Sequence, residues 1–180
     1  WSSDVCSSDL EETNAPYGVA KKALFVMLDG YRREYGLKSA VVLPVNLYGP
    51  GDNFDPRSSH VIPALIRKCE EARLSRQPNI VCWGTGSATR EFLYVDDAAE
   101  GIVRAAEVMD EPEPINLGGG AEIPIRDLVT QIAKACDFTG RIDWDASKPD
   151  GQPRRGLDIS RARSRLNWEP KQDFAGGLRK

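Results

Sequence analysis

The chain has 180 residues, 41% hydrophobic and 28% charged, with a net charge of −3, a composition that supports one sizeable apolar core and excludes a chain dominated by disorder. The mild negative balance excludes a general field for nucleic acid or anionic membrane, so any anionic ligand must be met by a few placed basic residues. No apolar run reaches the roughly 18 to 20 residues of a membrane span, and no basic segment followed by an apolar one opens the chain, which makes the cytoplasm the expected compartment.

Residues 1–10, WSSDVCSSDL, repeat SSD without helical or strand periodicity and read as an artefactual leader. The organised region is expected over 11–180. Residues 17–35 place Ala20, Leu24, Met27, Leu28 and Tyr31 on one helical face, and Gly36 follows where a helix end favours a left-handed residue. The stretch SAVVLPVNLYGPGDN then predicts a buried parallel strand whose carboxyl end opens into a loop, where α/β sheets favour ligands. Helices are predicted over 61–72, 96–108, 125–135 and 159–166, and strands over 80–83, 92–95, 115–117 and 141–144. Gly118, Gly119 and Gly120 lack G-x-G-x-x-G spacing and predict a turn. This alternation defines an α/β chain. The strand, Gly-rich turn and helix that open a doubly wound nucleotide-binding domain are expected to be missing from its front.

The four cysteines, Cys6, Cys69, Cys82 and Cys136, show no C-x-x-C spacing, and the single histidine is distant from them. No zinc site is expected, and the thiols outside the leader predict packing.

Tyr17 and Lys21 are four apart, so both project from one helical face, and an ammonium there is expected to lower the tyrosine pKa toward the range of a general acid. With five tyrosines in 180 residues, about 0.2 chance Y-x-x-x-K matches are expected. The pair alone therefore does not decide a function. His60, taken alone, reads as a capping or surface residue at a helix start. Lys68, Trp83, Arg90, Asp150 and Arg155 taken singly read as surface charges, a core aromatic and a turn residue.

Taken together and in order, YGVAKK, LPVNLYGPGDNF, SSHVIPALIRK, CWGTGSATREFLYVDDAAEGI and DASKPDGQPRR resemble the extended short-chain dehydrogenase/reductases, most closely the GDP-L-fucose synthases, over residues 11–180. Tyr94 departs from the histidine often found there. The resemblance implies a Rossmann-type doubly wound parallel sheet with a smaller C-terminal α/β substrate-binding domain. It further implies NADPH-dependent epimerisation at carbons 3 and 5 and reduction at carbon 4 of GDP-4-keto-6-deoxy-D-mannose. Tyr17, Lys21 and His60 then take the catalytic positions, with His60 as the epimerisation acid. Lys21, Pro44, Val45, Asn46, Leu47 and His60 fall at the NADP(H) site, while Lys68, Trp83, Arg90, Asp150 and Arg155 fall at the GDP-sugar site. A homodimer is implied, with no nucleic-acid or membrane partner and no metal. The family's opposing base, a cysteine upstream of the tyrosine, has no match outside the leader. Two alternatives stay open: another nucleotide-sugar epimerase or dehydratase of the superfamily, and a non-catalytic nucleotide-sugar-binding module.

Overall fold

The computed structural model describes residues 15–180. The artefactual-leader reading, and Cys6 with it, lies outside the described residues. In chain order the elements are α1 (Ala15–Tyr35), β1 (Val42–Pro44), β2 (Asn46–Tyr48), α2 (Val61–Leu74), β3 (Asn79–Trp83), β4 (Thr89–Tyr94) and α3 (Val95–Val108). There follow β5 (Ile115–Leu117), β6 (Glu122–Pro124), α4 (Ile125–Ala135), β7 (Arg141–Asp145), β8 (Arg154–Arg155), α5 (Ser160–Leu166) and α6 (Phe174–Gly177).

The strand expected after Gly36 runs parallel to its neighbours but is divided at Val45. Val42–Pro44 pairs with β5, and Asn46–Tyr48 pairs with β4. It is also less buried than its apolar sequence suggests, since in β1 no side chain is fully covered. A second parallel pair, β3 with β7, stands apart from these. Antiparallel pairing enters only where β6 joins β4, and β8 joins β4 in parallel.

Two cores result, with β4 as the wall between them. Its alternation sends Phe92 and Tyr94 into the larger core and Leu93 into the smaller one. The larger core is built on α4, whose Leu128, Val129 and Ile132 are fully buried against Leu65 and Cys69 of α2 and Ile80 and Cys82 of β3. In the smaller core α3 presents Ala98, Gly101 and Ala105 inward. A Cβ on Gly101 would press within 3.1 Å of Leu117 and Trp168, so the small face is what lets α3 approach β5. Asp96 and Asp97 occupy the first turn of α3, complementing its positive end. The Asp97 carboxylate is itself committed, accepting from the amides of Lys171 and Gln172.

The cysteines expected to be packing residues are so: Cys69, Cys82 and Cys136 are buried and free. Burial pushes the Cys69 thiol up to about 12 and Cys136 up to about 11, which keeps them from acting as thiolates. Among the described residues no group of acidic, cysteine and histidine side chains could hold a metal, and no helix is long and apolar enough to cross a membrane. Helix α1 closes at Gly36, φ +65°, yet buries no residue, leaving Val26, Met27 and Tyr31 exposed.

Because Leu128 is fully enclosed, Leu128→Ala is expected to cost about 2–5 kcal/mol, read as a lowered midpoint in urea unfolding at unchanged slope.

Candidate functional site

A cavity of about 310 Å³ opens beside the parallel pair β2 and β4, lined by Asn46, Leu47, His60, Ile62, Arg90 and Asp150 among others. The family resemblance assigns Asn46, Leu47 and His60 to the cofactor site and Arg90 and Asp150 to the sugar-nucleotide site, and the fold brings all five to one cavity. His60 is there because it is the residue before α2. Its backbone is extended at φ −76°, ψ 174°, and its carbonyl accepts the Ala64 amide, while its side chain makes no capping bond and faces the cavity. His60 thus holds the N-cap position and is exposed, as its residue type alone suggested, but it caps through its backbone carbonyl and not its side chain.

The loop that delivers His60 folds upon itself. Asp55 accepts from the Arg57 backbone and guanidinium, Asn53 bonds Ser58, and Arg67 of α2 donates to the Phe54 carbonyl at 3.1 Å. On the opposite wall Asn46 donates to the Glu91 carbonyl at 3.1 Å, which fixes its amide against β4.

Arg90 comes from β4 and is half-buried. It donates from Nη1 to the carbonyls of Thr89 and Gln152, both at 2.7 Å. Burial, and after it the neighbouring Arg155 guanidinium, pull Arg90 below the usual guanidinium value. Arg155 pairs with Arg90 in register across β4 and β8. Arg154, one residue earlier, is spent on Glu122 at 2.6 Å. A cationic pair without a carboxylate partner among the described residues suits a phosphate-bearing ligand.

Asp150 reaches the cavity, but its carboxylate is already engaged. It accepts from the Thr85 amide at 2.6 Å, the Thr85 hydroxyl at 2.7 Å and the Gly86 amide at 3.3 Å. Gly84, at φ +77°, permits this approach, since a Cβ there would strike the carboxylate. The Thr85 hydroxyl, then its amide, hold Asp150 below the usual carboxylate range. Lys68 is not part of the cavity lining, and its ammonium donates to the Val81 carbonyl at 2.8 Å. Trp83 lies outside the cavity lining, 69% exposed, with the Lys148 ammonium 5.8 Å from its ring centroid, not in the core as its type alone suggested.

Tyr17 and Lys21 share a face as predicted, with the ammonium 5.2 Å from the ring centroid. They do not line the cavity: Tyr17 is 67% exposed on α1. Pro44 and Val45 also lie behind it, Val45 donating its amide to the Leu117 carbonyl at 3.0 Å and packing on the smaller core. One buried polar residue beside the cavity wall was not singled out from the sequence. Glu91, between Arg90 and Phe92, is 3% exposed, and the signal was available as an acid inside an otherwise apolar strand.

An α/β fold with a cavity bordered by a parallel strand pair and holding a few placed polar groups is of the class that binds nucleotides. A family model described as the NAD dependent epimerase/dehydratase family matches residues 2–118, and the chain belongs to that family. It is 42% identical over 185 residues to the GDP-L-fucose synthase of Escherichia coli, covering 98% of this chain and 57% of that protein. It is also 42% identical over 176 residues to GDP-L-fucose synthase 1 of Arabidopsis thaliana, covering 98% of this chain and 54% of the relative. The chain thus spans about half the length of the curated relatives it matches. A crystal structure of a GDP-L-fucose synthetase from Naegleria fowleri bound to NADP superposes with a TM-score of 0.85 at 30% identity, covering 94% of this chain and 55% of that one. The fold is accordingly the Rossmann-like α/β fold of the family.

The depressed Asp150 carboxyl makes the Thr85–Gly86 turn pH-dependent. Its folded pKa lies below the ordinary value of about 3.9, so its contribution is fully present above that pH and is lost as pH falls through the lower folded value. Hydrogen exchange followed by NMR is expected to show Thr85 and Gly86 protected at pH 6 and deprotected in strong acid, and Asp150→Asn to lose that protection at every pH.

Proposed function

We propose that the protein converts a GDP-linked 4-keto-6-deoxy sugar to GDP-L-fucose, epimerising carbons 3 and 5 and reducing carbon 4 with NADPH, as a homodimer in the cytoplasm. The observation that carries this reading is the cavity itself, where His60, Asn46 and Arg90 converge beside β2 and β4 in a chain similar to GDP-L-fucose synthases over almost all its length.

The chemistry turns on one ketone. A proton leaves carbon 3 or carbon 5 more easily when the charge delocalises onto the carbon-4 oxygen, and a hydroxyl donor there stabilises the enolate. Tyr17 is that donor, and it also protonates the same oxygen at the reduction stage. Lys21, on the same helical face, orients the tyrosine and meets the nicotinamide ribose. His60 returns a proton to carbon from the cavity side. NADPH, when bound, supplies the hydride. Asn46 and Leu47 line the cavity and Pro44 and Val45 precede them in the chain, which supports placing the nicotinamide beside this segment.

The diphosphate meets Arg90 and Arg155. Trp83 offers an exposed face for the guanine, and Asp150 fixes the turn beside it while closing one wall. Lys68 reaches the phosphates after exchanging its bond to the Val81 carbonyl. The uncovered apolar stripe of α1 supports the association of two copies.

A second reading, a binding module without turnover, is favoured by the exposure of Tyr17 away from the cavity. Tight GDP binding with no binding of NADPH would select it. The leading reading is tested by supplying NADPH and GDP-4-keto-6-deoxy-D-mannose in deuterated water. The wild type is expected to oxidise NADPH and to incorporate deuterium at carbons 3 and 5. Tyr17→Phe should lower both by about 100-fold or more. His60→Asn should abolish epimerisation, read from the configuration of the product at carbons 3 and 5, while ketone reduction persists, and undiminished epimerisation in that variant would sink the assignment.

A further inference from the structure

Glu91 has no part in the chemistry above, yet it is the most deeply buried acidic residue of the described chain, 3% exposed. A carboxylate so placed must be satisfied by hydrogen bonds. Its oxygens serve two different segments. Oε1 accepts the Gly120 amide at 2.8 Å, and Oε2 accepts the Leu157 amide at 2.7 Å. The first belongs to the glycine turn after β5. The second ends the exposed strap that joins β7 to α5. A side chain on Gly118 would collide with Oε1, so the turn is shaped around this carboxylate.

The strap carries Arg155 into register with Arg90. These guanidinium groups repel, and among the described residues neither forms an ion pair; Arg154 takes the nearby Glu122 instead. The pairing that opposes the repulsion is short, since β8 spans only Arg154–Arg155. Upstream the strap is tied by Gln152 and Pro153, whose carbonyls accept from Arg90 and from the Thr89 amide. Downstream, the tie reaching β4 is the charge-assisted bond from Leu157 to Glu91, two residues past Arg155.

We infer that Glu91 is a positioning residue whose buried carboxylate anchors the strap so that Arg155 stands beside Arg90 as a second cation for the ligand's diphosphate. It touches no substrate and acts through Arg155. This inference rests on the nucleoside-diphosphate reading of the site.

The test is a double-mutant cycle on GDP affinity, measured by calorimetry for the wild type, Glu91→Gln, Arg155→Ala and the double variant. Hydrogen exchange over residues 153–158 is followed in parallel. Each single change is expected to weaken GDP about tenfold, with the double variant no weaker than Arg155→Ala alone, because both remove the same contact. The strap should exchange faster in Glu91→Gln. Losses that add, or GDP affinity in Glu91→Gln equal to wild type, would overturn the inference, since a general loss of stability does not act through Arg155. If Glu91→Gln does not fold, Glu91→Asp, which keeps the charge but shortens the reach, enters the same cycle with the same criteria. If the wild type fails to bind GDP, the nucleotide reading falls, and exchange decides the anchoring: unchanged rates over the strap would refute it and faster rates would support it.

Discussion

Everything near the cavity depends on β4 being paired along both edges. Its carboxyl half hydrogen-bonds to β2, and its amino half to β6 on one side and β8 on the other. With both edges occupied, alternation assigns each side chain a fixed destination: Arg90 and Phe92 line the cavity, Tyr94 enters the larger core beside Phe92, Leu93 enters the smaller core, and Glu91 meets the glycine turn. A slip of one residue would turn the Arg90 guanidinium away from the cavity and take the Glu91 carboxylate off the Gly120 and Leu157 amides, which makes the register strongly specified.

The strand that supplies Asn46 obeys a related constraint. It changes partner at Val45, leaving β5 and joining β4, so one short segment borders both cores: Val42 and Val45 pack on the smaller, Tyr48 in the larger. Tyr48 then packs on Phe174 and Tyr94, with ring centroids 5.1 and 5.6 Å away. Through that aromatic cluster the carboxyl-terminal helix α6 is tied to the strand that lines the cavity.

The helices were legible because their apolar positions recur at the helical period; α4 matches its sequence-predicted bounds of 125–135. Strand β3 was legible by its alternation of buried Ile80 and Cys82 with exposed Val81 and Trp83. What escaped has no local signal. Two arginines form β8 only because β4 offers an edge, β6 ends in a proline, and α6 is a single turn capped by Asp173. At the site, residue type alone left His60, Arg90 and Asp150 as surface or turn residues, and only the resemblance of the ordered motifs marked them, with Asn46, as ligand-binding. Neither could reveal that Asp150 is occupied by Thr85 and Gly86, or Lys68 by a strand carbonyl, because those bonds join residues far apart in sequence.

The parallel pairs have a kinetic consequence. Val42 must find Ile115, and Asn79 must find Arg141, before either pair contributes a single ladder bond. Closing such long loops spends chain entropy well ahead of any reward, which places this topology among slow folders. Helix α4, local and strongly amphipathic, is the element able to form early, and its docking on α2 and β3 supplies an apolar surface on which the distant strands can meet.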